Sequence, residues 1–254
     1  MHFCEDTDIE KNYIPEVLFS IKGPASAISI DWLEKEGILA AGFEDGWVCV
    51  FNYNPSSDPN VKALPNLIAQ NKVHSSRVLC VKINPEKKLV YSIHKGTRLR
   101  VLDYGTNQVV NETLISSEQT HLTHLEITSD FKYAIIGDMS GKIFVYYLLT
   151  TPPLYAKAFQ AAQSKLYSFS LDSDTRTIYS AGYEEERLQI SVFKEKEEDD
   201  IELEGIRELR CIRHTRMIRI WKERNELYLG HDKGVVSVFS LSLSMDGPTR
   251  RRFS

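Results

Sequence analysis

The chain has 254 residues, of which 42% are hydrophobic and 26% charged, the balance of an ordinary globular protein large enough for one substantial domain. A formal charge of −4 argues against a general binder of nucleic acid or of a membrane surface, both of which present phosphate. There is no apolar run of transmembrane length, no basic segment leading into an apolar stretch as in a secretory signal, and Cys4, Cys49, Cys80 and Cys211 are all solitary, which together predict a cytoplasmic, reducing environment.

Residues 1–14 read as a polar, acidic tail. From Glu16 to Ile21 the apolar residues Val17, Phe19 and Ile21 alternate, which predicts a strand. Beyond Ile21 one pattern is repeated five times. Its clearest copy runs from Leu122 to Leu149, where three short alternating runs separated by polar turns predict an antiparallel meander with one apolar face.

Taking the last two apolar positions of each first strand as anchors, the copies begin at Ile30/Trp32, Val81/Ile83, Leu125/Ile127, Phe169/Leu171 and Ile218/Ile220. The second anchors are 51, 44, 44 and 49 residues apart, and the next strand starts 6, 6, 6, 7 and 7 residues later. Each gap leaves room for a fourth strand, near Leu64, Val109, Tyr155 and Leu209, with the strand at Val17 available to complete the fifth unit and close a ring. The glycines that begin third strands, Gly46, Gly141 and Gly234, read as turn residues supplying a positive φ. Asn52 to Asn60, rich in Asn, Ser, Asp and Pro, predicts a surface loop, and Lys194 to Glu204 predicts an acidic loop on the rim. Beyond it Arg207, Arg210, Arg213, Arg216 and Arg219 recur every three residues. That stride would line one face of a helix, yet Leu209, Cys211, Ile218 and Ile220 keep a strand alternation, and strands are expected. Residues 245–254, with Arg250, Arg251 and Arg252, read as an exposed basic tail, leaving 15–244 as the repeat domain.

A unit of roughly 40 to 45 residues made of four strands is the period of a β-propeller blade of the WD-repeat kind. Individual residues resemble that family too: His74, Val78, Val81, Ile83, Asn84-Pro85-Glu86, Leu89, Ser92 and Leu102-Asp103 follow its pattern in the second unit, and Asp45 supplies its turn aspartate in the first. No unit ends in Trp-Asp. The segments Ala69 to Val78 and Ile136 to Ile143 resemble the central blades of the WD-repeat and FYVE-domain-containing proteins, although the paired zinc-ligand clusters of a FYVE finger are absent and its lipid binding is not implied. The expected fold is an all-β, WD-repeat-like propeller with five four-stranded blades, either a closed five-blade ring or part of a seven-blade propeller.

A ring of blades offers its turns to partners. The turns between second and third strands are the expected contact surface: Phe43, Glu44 and Asp45; His94 and Lys95; Asp138, Met139 and Ser140; Tyr183 and Glu184; His231, Asp232 and Lys233. The arginines Arg207 to Arg219 form a second candidate, because guanidinium groups bind phosphate bidentately; pairing with the acids of Lys194 to Glu204 is the competing expectation. His121 and His124, three apart on a strand, point to opposite faces and predict no metal site. Glu184, Glu185 and Glu186 read as solvated charge, and Ser164, Thr175 and similar hydroxyls have no His-Asp partner at a recognisable spacing. No cofactor is expected. The expected function is a non-catalytic scaffold or adaptor for protein or peptide partners. The alternatives are a phosphoinositide-associated endosomal adaptor, and a five-bladed hydrolase, which would need two carboxylates facing each other across a cleft.

Overall fold

The computed structural model describes residues 20–54, 64–116, 120–195, 201–241 and 250–253. Those residues form twenty strands in five four-stranded antiparallel sheets, each a meander of consecutive strands, and no α-helix. Sheet one holds β1 (Ala27–Leu33), β2 (Ile38–Phe43), β3 (Trp47–Asn52) and β4 (Asn66–Lys72). Sheet two holds β5 (Val78–Asn84), β6 (Leu89–His94), β7 (Arg98–Asp103) and β8 (Gln108–Leu114). Sheet three holds β9 (Leu122–Ile127), β10 (Tyr133–Asp138), β11 (Lys142–Tyr147) and β12 (Leu154–Gln160). Sheet four holds β13 (Phe169–Asp172), β14 (Thr177–Ala181), β15 (Arg187–Glu195) and β16 (Ile201–Arg210). Sheet five holds β17 (Thr215–Trp221), β18 (Glu226–His231), β19 (Val236–Ser240) and β20 (Arg250–Phe253).

The second strands explain how the sheets stack. In β10 every residue is buried: Ala134 and Ile136 pack with Tyr91, Leu99 and Val101 of sheet two, whereas Tyr133 and Ile135 pack with Phe169, Ile178 and Phe193 of sheet four. A strand covered on both faces loses the polar half of its alternation, which is why Tyr133 to Gly137 reads as a continuous apolar run. Equivalent cores join sheet one to two through Val48, Val50, Val81 and Leu102 and sheet four to five through Tyr179, Leu188, Ile218 and Leu229. Each fully buried Leu, Ile or Phe contributes about 1.5–3 kcal/mol, so these inter-sheet seams hold the molecule together. The first strands of successive sheets contact one another, β1 with β5, β5 with β9, β9 with β13 and β13 with β17, so they line the axis. The sheets are blades.

Among the described residues no core joins blade five to blade one. The far face of blade one carries its own cluster of Ala41, Phe43, Cys49 and Phe51. The strand expected over Glu16 to Ile21 falls mainly on residues outside those described, and Ser20 to Lys22 are not strand. Its expected place is taken by the segment read as a tail: Arg250–Phe253 pairs antiparallel with β19, Phe253 opposite Val236 and Arg250 opposite Phe239. The outer edge of β19 needs main-chain partners whatever side chains supply them, and Arg-Arg-Arg-Phe carries no alternation to announce a strand.

The acidic rim loop expected over Lys194 to Glu204 is corrected at both ends, its centre, 196–200, lying outside the described residues. Lys194 and Glu195 extend β15, and Ile201 to Glu204 begin β16, with Lys194 opposite Glu202 and Phe193 opposite Leu203. Ile201 is fully buried in the seam between blades three and four, and Lys157 Nζ donates to its carbonyl at 2.7 Å. Charged residues on an outer strand leave the ladder intact, because the ladder is made by main-chain groups.

Candidate functional site

The turns between second and third strands share a tight construction in blades one and three. Gly46 and Gly141 sit at φ +92° and +86°, where L side chains are strained, and a Cβ on either would lie 2.0 or 2.2 Å from the carbonyl oxygen of His74 or Ala162. The loop that follows each fourth strand there rests directly on the turn.

The residues expected to face a partner divide into two groups. Glu44, Lys95, Glu184 and Lys233 are exposed or partly so, as are Asp45, His94, Met139, Ser140, Tyr183 and Asp232. Phe43, Asp138 and His231 are buried and hold the turns, which corrects their assignment as contact residues. Asp138 Oδ1 accepts from Ser140 N at 2.9 Å, Ser140 Oγ at 2.7 Å and Lys142 N at 3.1 Å, while Oδ2 accepts from Thr120 Oγ1 at 2.9 Å. His231 bridges Thr215 Oγ1 at 3.2 Å and Ser237 Oγ at 3.0 Å. In blade two, buried His74 meets Ser92 Oγ at 2.8 Å, which forms the histidine–serine pair of the WD pattern, and its ring lies 4.6 Å from that of His94. Burial pushes the His74 imidazole down to about 3, with His94 and Arg100 adding to the effect.

Blades four and five open a groove on this rim. It has a volume of about 380 Å³ and is lined by Tyr183, Ile212, His214, His231, Asp232 and Lys233 among others. Four of these residues were expected at the contact surface; Ile212 and His214 were not. The guanidinium of Arg216 lies over the rings of Tyr167 and Tyr183, 4.5 and 4.6 Å from their centroids, and its Nε donates to Asp232 Oδ1 at 2.9 Å. The Tyr183 hydroxyl donates to the other oxygen of Asp232. Hydrogen bonds from Arg216 and Tyr183 hold the Asp232 carboxyl below its usual range, and the bond to Asp232 raises the Tyr183 hydroxyl. The result is an aromatic wall stiffened by an ion pair, with Lys233 exposed at its edge.

The arginines do not form one face. Arg207 and Arg210 lie on β16, Arg216 and Arg219 on β17, and Arg213 in the connection between them. Arg210 and Arg213 both reach Glu186, at 3.3 and 3.2 Å, Arg216 reaches Asp232 and Arg219 reaches Glu126 at 3.3 Å. Among the described residues these four thus meet turn and axial carboxylates rather than the acids of Lys194 to Glu204. Glu185, read as solvated, instead accepts from Gln163 N, Ser164 N and Ser164 Oγ at 2.7 to 2.9 Å and pins blade three's outgoing loop to the turn of blade four.

A second cluster was not among the expected sites. The residues between the two anchors of each repeat are Asp31, Lys82, Glu126, Ser170 and Arg219, and the axis brings four of them together: Lys82 Nζ lies 2.6 Å from Glu126 and 3.7 Å from Asp31, and Arg219 bonds Glu126 from blade five. Asp31 also accepts from the Ile83 N–H at 2.9 Å and Ser170 Oγ from the Ile220 N–H at 3.3 Å, so the same position ties neighbouring blades together. Charges of alternating sign at equivalent positions of successive repeats were the available signal. Among the described residues no group of three or more His, Cys, Asp or Glu is arranged to hold a metal ion, and no helix is long and apolar enough to cross a membrane.

No family model matches the sequence, and no curated protein matches it. Solved structures do. A chain of the crystal structure of the mitotic checkpoint complex superposes with a TM-score of 0.68 at 12% identity, over 92% of this chain and 66% of that one. The fold is a WD-repeat-like β-propeller. At that identity the likeness carries architecture alone and gives no support to a relation with FYVE-domain proteins in particular. The chain spans about two thirds of the length of the structure it matches.

Proposed function

We propose that this chain is a non-catalytic interaction module, a cytoplasmic scaffold or adaptor that presents one rim of its blades to a protein or peptide partner. The groove between blades four and five carries the reading. Tyr183, Ile212 and His214 offer apolar and aromatic surface, Lys233 offers an exposed charge, and the Arg216–Asp232 pair fixes the wall before a partner arrives, so little side-chain entropy is lost on binding. Aromatic anchors on a pre-formed wall are what peptide sites require.

The phosphate-binding alternative draws no equal support, since Arg210, Arg213, Arg216 and Arg219 already face carboxylates that a headgroup would have to displace. A hydrolase would use opposed carboxylates, and the two at the axis, Asp31 and Glu126, both face Lys82.

A photo-crosslinking amino acid placed at Lys233, at Glu184, or on the opposite rim at Lys87 tests the assignment. Adducts identified by mass spectrometry should form from positions 233 and 184 and be lost with Tyr183→Ala. Partner adducts confined to position 87 would overturn the choice of rim.

A further inference from the structure

At the joint between blades two and three, Cys80 of β5 faces His124 of β9, with Sγ 3.6 Å from Nδ1. The other imidazole nitrogen, Nε2, lies 3.1 Å from Glu126 Oε1. Thiol, imidazole and carboxylate therefore stand in the order nucleophile, base and orienter. His124 is fixed further by an edge contact on the Phe169 ring, 5.0 Å between centroids. Glu126 is held ionised by His124 and by Lys82 of β5 at 2.6 Å, with Asp31 of β1 on the far side of Lys82. Arg219 of β17 reaches Glu126 at 3.3 Å and also stands 3.4 Å from His124 Nε2, a second cation beside the imidazole, with the Glu126 carboxylate facing both.

The simplest account of Cys80 is that of an acceptor. Its sulfur takes the Leu125 N–H just as Ser168 Oγ takes the Ile218 N–H two blades on, each one residue before the first anchor of its repeat. Ser168 Oγ, however, bonds main-chain groups, the Ile218 N–H and the Phe169 carbonyl, whereas Cys80 also faces an imidazole. Burial alone would push the thiol up, but the imidazole and the Leu125 N–H bring it below its ordinary value. Burial would likewise lower His124, and the sulfur and Glu126 reverse that and raise it. The other described thiols differ in kind. Cys49 is 1% exposed and pushed up to about 11 by burial, and Cys211 is 3% exposed. Cys80 is partly exposed.

We propose that Cys80 and His124 form a thiolate–imidazolium pair and that Cys80 is a site of reversible oxidation by hydroperoxides. The thiolate attacks the terminal peroxide oxygen; the S–O bond forms as the O–O bond breaks, and the departing hydroxide, or alkoxide from an alkyl hydroperoxide, takes the His124 proton and leaves as water or alcohol. Sulfur loses two electrons and the peroxide gains them, giving a sulfenic acid. A low-molecular-weight thiol then attacks that sulfur, the S–S bond forms, the S–O bond breaks, and the hydroxyl leaves as water with the incoming thiol's proton; a second equivalent, as thiolate, attacks the mixed disulfide, forming the small-molecule disulfide and releasing the Cys80 thiolate. Oxidation removes the negative charge that faces His124 at the joint between two blades.

The test is the pH profile of alkylation of the intact chain by iodoacetamide, read cysteine by cysteine by peptide mass spectrometry with glutathione as reference. Between pH 8.5 and 6.0 an ordinary thiol loses about a hundredfold in rate, following its thiolate fraction; Cys80 is expected to lose clearly less than the glutathione reference measured beside it. H124Q should restore the ordinary profile. The wild-type profile stands without that variant, so a misfolded H124Q does not decide the matter. After one equivalent of hydrogen peroxide, dimedone should label Cys80 and spare Cys49 and Cys211. A hundredfold loss at Cys80, failure to alkylate it, or dimedone absent from Cys80 would each overturn the proposal.

Discussion

Asp138 belongs to the turns expected to face a partner and instead lies fully buried, so replacing it with alanine separates a structural role from a binding one. The substitution removes four hydrogen bonds, two of them from the main-chain N–H groups of Ser140 and Lys142, which the tight turn aims at the carboxylate. A hydrogen bond to a charged group contributes about 1.5–3 kcal/mol, and a buried donor left unpaired costs about as much as it loses. Two such bonds give an expected loss of about 3–6 kcal/mol. For a chain of this size each kcal/mol moves Tm by about 2–4 °C, so calorimetry should show a fall of about 6–24 °C. Asp138→Asn is the control: its carbonyl oxygen keeps the three bonds now made by Oδ1, and its NH₂ faces the Thr120 hydroxyl, which is able to accept, so a loss of only about 1 kcal/mol is expected. An Asp138→Ala protein with Tm unchanged within about 2 °C but with partner capture abolished would refute this reasoning and return Asp138 to the contact surface.

Gly141→Ala should cost about 3 kcal/mol by urea titration, since φ is +86° and the new Cβ would meet the Ala162 carbonyl at 2.2 Å. Phe193→Ala, emptying the seam between blades three and four where Phe193 is fully buried beside Tyr133, should cost about 3–5 kcal/mol, with no loss of secondary structure by circular dichroism at low temperature. For His74 the folded imidazole is depressed to about 3 while the unfolded one titrates near about 6.5. The unfolded chain therefore takes up a proton as pH falls below that value and the folded chain does not. Stability present above about pH 6.5 should decline by up to about 1.4 kcal/mol per pH unit below it, and His74→Gln should flatten that slope in urea midpoints measured from about pH 7 to 5. Lys95→Glu and Lys233→Glu, at exposed turn positions, should shift stability by less than about 0.5 kcal/mol.

The strands, their grouping into meanders and the blade period follow from local chemistry, because a half-buried strand must alternate and a turn must use the few residues that allow it. Leu122 to Leu149 shows this: its three apolar runs correspond to β9, β10 and β11 within a residue or two. The resemblance at His74 and Ser92 was legible for the same reason, since both residues fall within one repeat of the sequence. What the strand pattern left open was every relation between blades. Whether Asp138 faces solvent or a neighbouring loop depends on where Thr120, at the end of the preceding connection, is placed. Which segment completes blade five depends on which edge β19 leaves open, and Arg250–Phe253 has no periodicity of its own to declare it. The axial cluster is the extreme case. Asp31, Lys82, Glu126 and Arg219 come from four blades, and Cys80 meets His124 from 44 residues away. Periodicity places each of them on a strand face, but only the stacking of blades around an axis brings charges so distant along the chain within a hydrogen bond of one another.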